Sequence, residues 1–242
     1  MKTLVTAMFI LALPVLAHAQ AAESNGGLPL AVENVSAATF TPLLDPEAGV
    51  WNDAPESMPH FNRTPPLYVG DATDTGERPE VHVRLLRTGE GSLVLRARWA
   101  DAEKDLAAGG TRYPDSGDKH IYKEHSEQIA AFADAFCVMV PVKRGPQSPY
   151  PAMMMGEKGD PVELYYWRAG LGLQLLSGHG RASTTATTKS VPGRAVYANG
   201  AWTVTLPMPK VTPGTPLCFA VWEGHREQRD GLKYFSLWYE AK

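Results

Sequence analysis

The 242-residue chain carries 23 Lys and Arg against 26 Asp and Glu, a formal net charge of −3, with 22 Gly, 20 Pro and only two Cys. No basic run breaks this mildly acidic balance, so the clustered cations that neutralise phosphates are missing and a nucleic-acid binder is excluded. Beyond the N-terminus no apolar run reaches the length needed to cross a bilayer, which excludes a helical membrane protein.

The chain begins with Lys2 and the apolar run "LVTAMFILALPVLA", closed by the small residues "AHA". That pattern is a secretory signal peptide over residues 1–19, of the general secretory type because no twin arginine precedes it. Residues 20–49 are rich in Ala, Gly and Pro and read as an extended N-terminal segment. A single domain is expected over 50–242, starting at "VWNDAPES" (Val50–Ser57).

The clearest hairpin is "EVHVRLLRTGEGSLVLRARWAD": Val81, Val83 and Leu85 alternate with His82 and Arg84, "TGEG" turns, and Leu93 to Trp99 return. The polar stretch 101–134 is long for a loop in a compact domain, with room for a short helix in its second half. Strands are expected over 135–142, 162–168 and 173–176. A second hairpin spans "RAVYANGAWTVTLPM" and turns at Asn199-Gly200, a strong hairpin signal. "PLCFAVWEG" and "LKYFSLWYEA" supply two last strands. Short strands separated by Gly- and Pro-bearing turns argue for a mainly β fold, an antiparallel β-sandwich with long loops and a few short helices.

Catalytic templates are absent: there is no G-x-S-x-G, no H-E-x-x-H and no phosphate-cradling glycine loop. His120 and His125 stand five apart, poorly aligned for one metal on a helix, and His179 and His225 lie in turns without a partner at ligand spacing. Cys137 and Cys218 both fall inside apolar strands; a disulfide, which export permits, and two buried thiols are both compatible with that placement. No C-x-x-C-H occurs, which excludes covalent attachment of a c-type haem.

The stretch "MMMGEKGDPVELYYW" is the most unusual. Met153, Met154 and Met155 run into Gly156, and alternation along a strand turns at least one of them away from the core. Gap-filling methionine is the ordinary use of the residue; a thioether is also a good axial ligand for haem iron and raises its potential. Lys233 follows the Gly231 turn and opens an aromatic strand, a position where lysines are usually solvated.

The order "WNDAP", "RARWAD", "DAFCVMVPV", "MMMGEKGDPVELYYWRAG", "NGAWTVTL", "AVWEGHREQRDGLKYFSLWYE" resembles the haem-binding γ subunits of periplasmic molybdenum enzymes related to dimethyl sulfoxide reductase. That group includes ethylbenzene dehydrogenase, dimethyl sulfide dehydrogenase, selenate reductase and chlorate reductase. The resemblance covers most of the chain from about Val50 onward. It implies a β-sandwich holding one b-type haem between a methionine and a lysine. Carried over, the ligands fall on Met155, with Met154 as the fallback, and on Lys233. Tyr166, Trp167, Trp222 and Tyr234, with Tyr165, Phe235 and Trp238, are the aromatics able to line the porphyrin; alternate ones must face the sheet core instead. Arg168, Arg181 and Lys189 are weak candidates to pair with a propionate. A lysine ligates iron only as the neutral amine, which requires a pKa far below the free value of about 10.

The resemblance further implies a non-catalytic electron-transfer subunit in the periplasm. Its partners would be an iron–sulfur β subunit, a molybdenum catalytic α subunit and a soluble c-type cytochrome. Two readings from other classes stand beside it. One is a haem-free carbohydrate-binding sandwich using exposed Trp and Tyr; the other is a copper protein using Met and His.

Overall fold

A computed structural model describes residues 27–37, 39–64, 76–107, 132–143, 150–153, 155–180, 183–187, 192–209, 211–226, 228 and 231–242, and the backbone alone of 188–190. The signal peptide, the short helix expected after residue 101 with its His120 and His125, Met154 and Arg181 lie outside the described residues, as does the side chain of Lys189.

In chain order the strands are β1 (Leu28–Leu30), β2 (Val32–Asn34), β3 (Glu56–Ser57), β4 (Phe61–Arg63), β5 (Val81–Arg87), β6 (Leu93–Ala100) and β7 (Ala135–Pro141). They continue with β8 (Val162–Arg168), β9 (Gly172–Gly178), β10 (Thr185–Ser190), β11 (Arg194–Ala198), β12 (Ala201–Met208), β13 (Pro216–Trp222), β14 (Tyr234–Ser236) and β15 (Tyr239–Ala241). Helix is confined, among the described residues, to single turns at Val50–Asp53, Thr41–Leu44 and Gly224–Arg226. None is long and apolar enough to cross a membrane.

Two sheets result. The larger runs β1-β15-β13-β7-β8-β9-β10, with β14 pairing both β13 and β4; the smaller runs β11-β12-β6-β5-β2, with β3 on β5. Inward residues of both sheets, among them Val83, Leu95, Trp99, Val204, Phe136, Tyr165, Trp167, Phe219 and Tyr234, form one buried layer between them. This is the sandwich that alternation along β5 and β6 predicts: Val81, Val83 and Leu85 face that layer, while His82 and Arg84 lie on the opposite side. Asn199 and Gly200 turn the β11–β12 hairpin with φ of 52° and 66°, the paired left-handed geometry that Asn-Gly favours.

The expected antiparallel pattern holds for all pairings except two at the sheet edges. β1 runs parallel to β15 and β2 parallel to β5, because the N-terminal segment enters beside the C-terminal strand and then crosses to the other sheet. Lys242 clamps that crossing: its N–H donates to Leu30 and its carbonyl accepts from Val32, at 2.9 and 3.0 Å. The final aromatic strand also divides in two. Pairings Ala220↔Phe235 and Leu217↔Tyr239 differ in register by one residue, so the chain bulges at Leu237. The Ser236 hydroxyl accepts the Phe219 N–H at 2.9 Å there, replacing a ladder bond.

Candidate functional site

β7 and β13 read as unbroken apolar runs because both of their faces are covered. Their outward side chains are Ala135, Cys137 and Met139 on β7, and Cys218, Ala220 and Trp222 on β13. With Val162, Leu164 and Tyr166 of β8, Leu176 of β9 and Trp238 they build a second buried apolar cluster on the outer face of the large sheet. Tyr150, Met153, Met155, Ala186 and Phe235 pack around its rim. The middle of this face is small, with Ala135 and Cys137 on β7 next to Ala220 on β13. Tyr166 and Trp222 stand on the strands either side of β7, and their rings meet edge to face at 5.3 Å. Rings on strands two apart can meet only because the residues between them are so short.

Cys137 lies opposite Ala220, and Cys218 opposite Met139, so the two cysteines are diagonal neighbours and not a facing pair. Both are free, buried thiols. Diagonal neighbours on adjacent strands stand about 7–8 Å apart, beyond disulfide reach without backbone movement. Burial pushes the Cys218 thiol up to about 12 and Cys137 higher still, while the nearby Lys233 charge pulls both down.

Lys233 therefore faces this cluster. Its carbonyl accepts both the N–H and the hydroxyl of Thr64, at 3.0 and 2.8 Å, and its Nζ lies 5.4 Å from the centre of the Trp222 ring. Met155 reaches the same face from the opposite end of the sheet, beside Gly178 at the end of β9. It adopts φ 67°, a left-handed conformation that a residue with a Cβ enters only against strain. The Met155 carbonyl accepts the Gly180 N–H at 2.9 Å, and the Gly156 N–H is held by Ala152 at 2.8 Å. A Cβ at residue 178 would stand 2.9 Å from the Met155 carbonyl oxygen, so this approach needs glycine there.

Among the sequence candidates, Met155, Lys233, Tyr166 and Trp222 thus share one face, with Phe235 and Trp238. Trp167 and Tyr234 do not join them: both are buried between the sheets, Trp167 in edge contacts with Trp202 and Trp99 at 4.8 and 6.2 Å. Tyr165 also points inward. Among the described residues the Trp238 indole nitrogen is buried without a hydrogen-bond partner, and its ring stacks on Tyr150 at 5.9 Å. His179 bonds Ser177, and no group of three or more His, Cys, Asp or Glu able to hold a metal occurs among the described residues.

A second polar cluster, invisible in the sequence, closes one end of the sandwich. The buried Asp134 carboxylate accepts Trp202 Nε1 and the Asp105 N–H, both at 2.8 Å, and the Gly224 N–H at 2.9 Å. Asp101 lies beside Asp134; its Oδ1 accepts the Glu103 N–H at 3.2 Å, and its Oδ2 is buried without a hydrogen-bond partner among the described residues. His225 lies 3.8 Å from Asp101 and from Asp105, and Arg226 pairs with Glu223 at 2.8 Å. Burial, reinforced by the Asp134 charge, raises Asp101 to about 7.

An unfolded aspartate titrates at about 3.9, so the folded chain binds the extra proton between that value and about 7. The stabilisation is complete below the lower value and is lost as pH rises through the upper one. Urea unfolding should show the wild type losing on the order of 2–4 kcal/mol between about pH 5 and about pH 8. Asp101→Asn, which keeps a donor towards Asp134 with no proton to lose, should flatten that slope; an unchanged slope would assign it to other groups.

No family model and no solved structure matches the chain. Three curated relatives do. A protein of Haloferax mediterranei, provisionally named a respiratory nitrate reductase heme subunit, is 28% identical over 80% of this chain and 66% of its own length. The gamma subunit of chlorate reductase from Ideonella dechloratans is 26% identical over the full length of both chains. The gamma subunit of dimethylsulfide dehydrogenase from Rhodovulum sulfidophilum is 26% identical over 80% of this chain and 72% of its own. The chain spans just under two thirds of the first of these and the whole of the second. It is a homologue of these oxidoreductase gamma and haem subunits.

Proposed function

We propose that the chain is a b-type cytochrome subunit. It would carry single electrons between the iron–sulfur subunit of a molybdenum-containing oxidoreductase and a soluble c-type cytochrome, in the periplasm after export by the general secretory route. The observation that carries this reading is the outer face of the large sheet, where a strained methionine and a lysine flank one buried apolar cluster.

The residues present fit a haem. Ala135, Cys137 and Ala220 are short apolar side chains at the middle of the face, Tyr166 and Trp222 supply aromatic rings beside them, and the Trp238 N–H, without a hydrogen-bond partner among the described residues, is a donor in the same cluster. The donor set is a thioether and an amine, Met155 and Lys233, both competent towards iron when the amine is neutral. Haem supplies one-electron chemistry when bound. Met155 and Lys233 would hold the iron, and the other residues of this face would orient the group and exclude water from it. Lys233 Nζ must release its proton to bind, against the pull of the Trp222 ring on its charge. The carbohydrate reading needs exposed rings; Tyr166, Trp222 and Trp238 are buried, and the large exposed hydrophobics among the described residues are all aliphatic.

The test is an oxidised-minus-reduced visible spectrum of the purified protein with pyridine haemochrome analysis. A low-spin b-type signal is expected. Met155→Ala should abolish or shift it, while Met153→Ala should leave it nearly unchanged. A protein that stays colourless after haemin is added would overturn the haem, and the reverse order of the two variants would move the ligand off Met155.

A further inference from the structure

We propose that Thr184 is a positioning residue that fixes the Met155 thioether and sets its strength as a donor; the inference rests on the haem reading above. The Thr184 hydroxyl donates to Met155 Sδ at 3.4 Å, and both residues are partly buried at the rim of the outer-face cluster. Main-chain bonds hold the two partners independently of this contact. Met155 is fixed by its bond to Gly180 and its left-handed backbone. Thr184 leads directly into β10, whose first residue, Thr185, pairs with Ser177 of β9. Ser183, one residue earlier, donates its hydroxyl to the Gly180 carbonyl at 2.6 Å and accepts the His179 N–H at 3.1 Å. The segment that carries the hydroxyl is therefore tied to the same turn whose Gly180 N–H donates to the Met155 carbonyl.

A thioether sulfur has two lone pairs. Iron would take one, leaving the other for the Thr184 hydroxyl that already donates to this sulfur. A hydrogen bond at the second pair draws electron density from sulfur and weakens its donation. Ferric iron depends on that donation more than ferrous iron does, so the bond favours the reduced state. It also removes rotational freedom from a flexible side chain that would otherwise have to be ordered when iron binds.

The experiment is redox titration of the haem-loaded protein for the wild type, Thr184→Val and Thr184→Ser. Valine keeps the shape and removes the donor, and serine restores the donor. Thr184→Val should keep a low-spin spectrum while its equilibrium constant for reduction falls by about three- to tenfold, tenfold corresponding to about 59 mV for one electron. Thr184→Ser should return most of the difference. An unchanged potential in Thr184→Val with the low-spin spectrum intact would overturn the role of Thr184 and leave the haem reading standing. An equal fall in both variants would likewise overturn it, by making packing the cause. A protein without haem, or one whose spectrum Met155→Ala does not alter, would instead overturn the reading on which it rests.

Discussion

Replacing Asp134 by alanine is expected to lower the unfolding free energy by about 3–6 kcal/mol. The side chain is fully buried and its two oxygens accept three donors from three separate parts of the chain: Trp202 Nε1 on β12, the Asp105 N–H after β6 and the Gly224 N–H after β13. Alanine leaves all three without a partner in a place water does not reach. Each buried donor left unmade costs about 1–3 kcal/mol, and the partial cavity adds to that. One effect runs the other way. Asp101 loses the neighbouring charge that helps hold its own carboxyl up, so it ionises more readily beside an empty site. That relief is smaller than the loss of three bonds. The main-chain bonds of Asp134, its carbonyl to Ala169 at 2.9 Å and its N–H to Asp105 at 3.1 Å, survive the substitution and keep the strand in place. Urea unfolding of wild type, Asp134→Ala and Asp134→Asn at one pH measures the effect. Asparagine, which retains an acceptor oxygen, should fall between the other two. A loss below about 1 kcal/mol in the alanine variant would mean that the end of the sandwich is open to water.

Much of the fold was legible because local patterns and burial agree. The alternation of Val81, Val83 and Leu85, the Asn-Gly turn and the span 162–168 all reappear in the structure as β5, β11–β12 and β8. Pieces governed by distant partners were not legible. β1 and β2 are three residues each and exist because they edge strands far along the chain. The break between β14 and β15 depends on a serine hydroxyl standing in for a backbone group.

The candidate site divides in the same way. Tyr166 and Trp167 had to face opposite sides, as strand alternation dictates, but which of them turned inward depended on Trp99 and Trp202 on the other sheet. Lys233 looked like an ordinary strand-opening lysine until β14 placed it against Trp222 and the two thiols. Met155 stood out for its chemistry, yet its left-handed backbone was hidden because that conformation is read from glycine, which follows it at residue 156. Asp101, Asp134 and Thr184 left no signal at all. Their partners are brought to them by β12, β13 and β9, and no local spacing records such a meeting.

If Lys233 holds the iron as proposed, Lys233→Ala is expected to change a low-spin haem spectrum to a high-spin one, or to lose the haem, in the visible spectrum of the loaded protein. The variant should still fold. Both anchoring bonds from Thr64 go to the Lys233 carbonyl, which truncation leaves in place, and Tyr234 remains paired with Val221 and Arg63. In the haem-free protein the fold loses the charge beside the Trp222 ring, about 0.5–2 kcal/mol depending on how far that contact is desolvated. Removing that charge also takes away the pull of Lys233 on Cys137 and Cys218, so both buried thiols become still harder to ionise and are poor replacements for the lysine. Lys233→Arg separates charge from ligation. It restores a cation over the ring, yet a guanidinium does not give up its proton in proteins and so cannot offer iron a lone pair. If Lys233 is the ligand, arginine and alanine give the same spectral change. If the lysine acts only as a charge near the haem, arginine keeps the low-spin spectrum and alanine shifts only the potential, and the sixth ligand must then be sought elsewhere on the outer face.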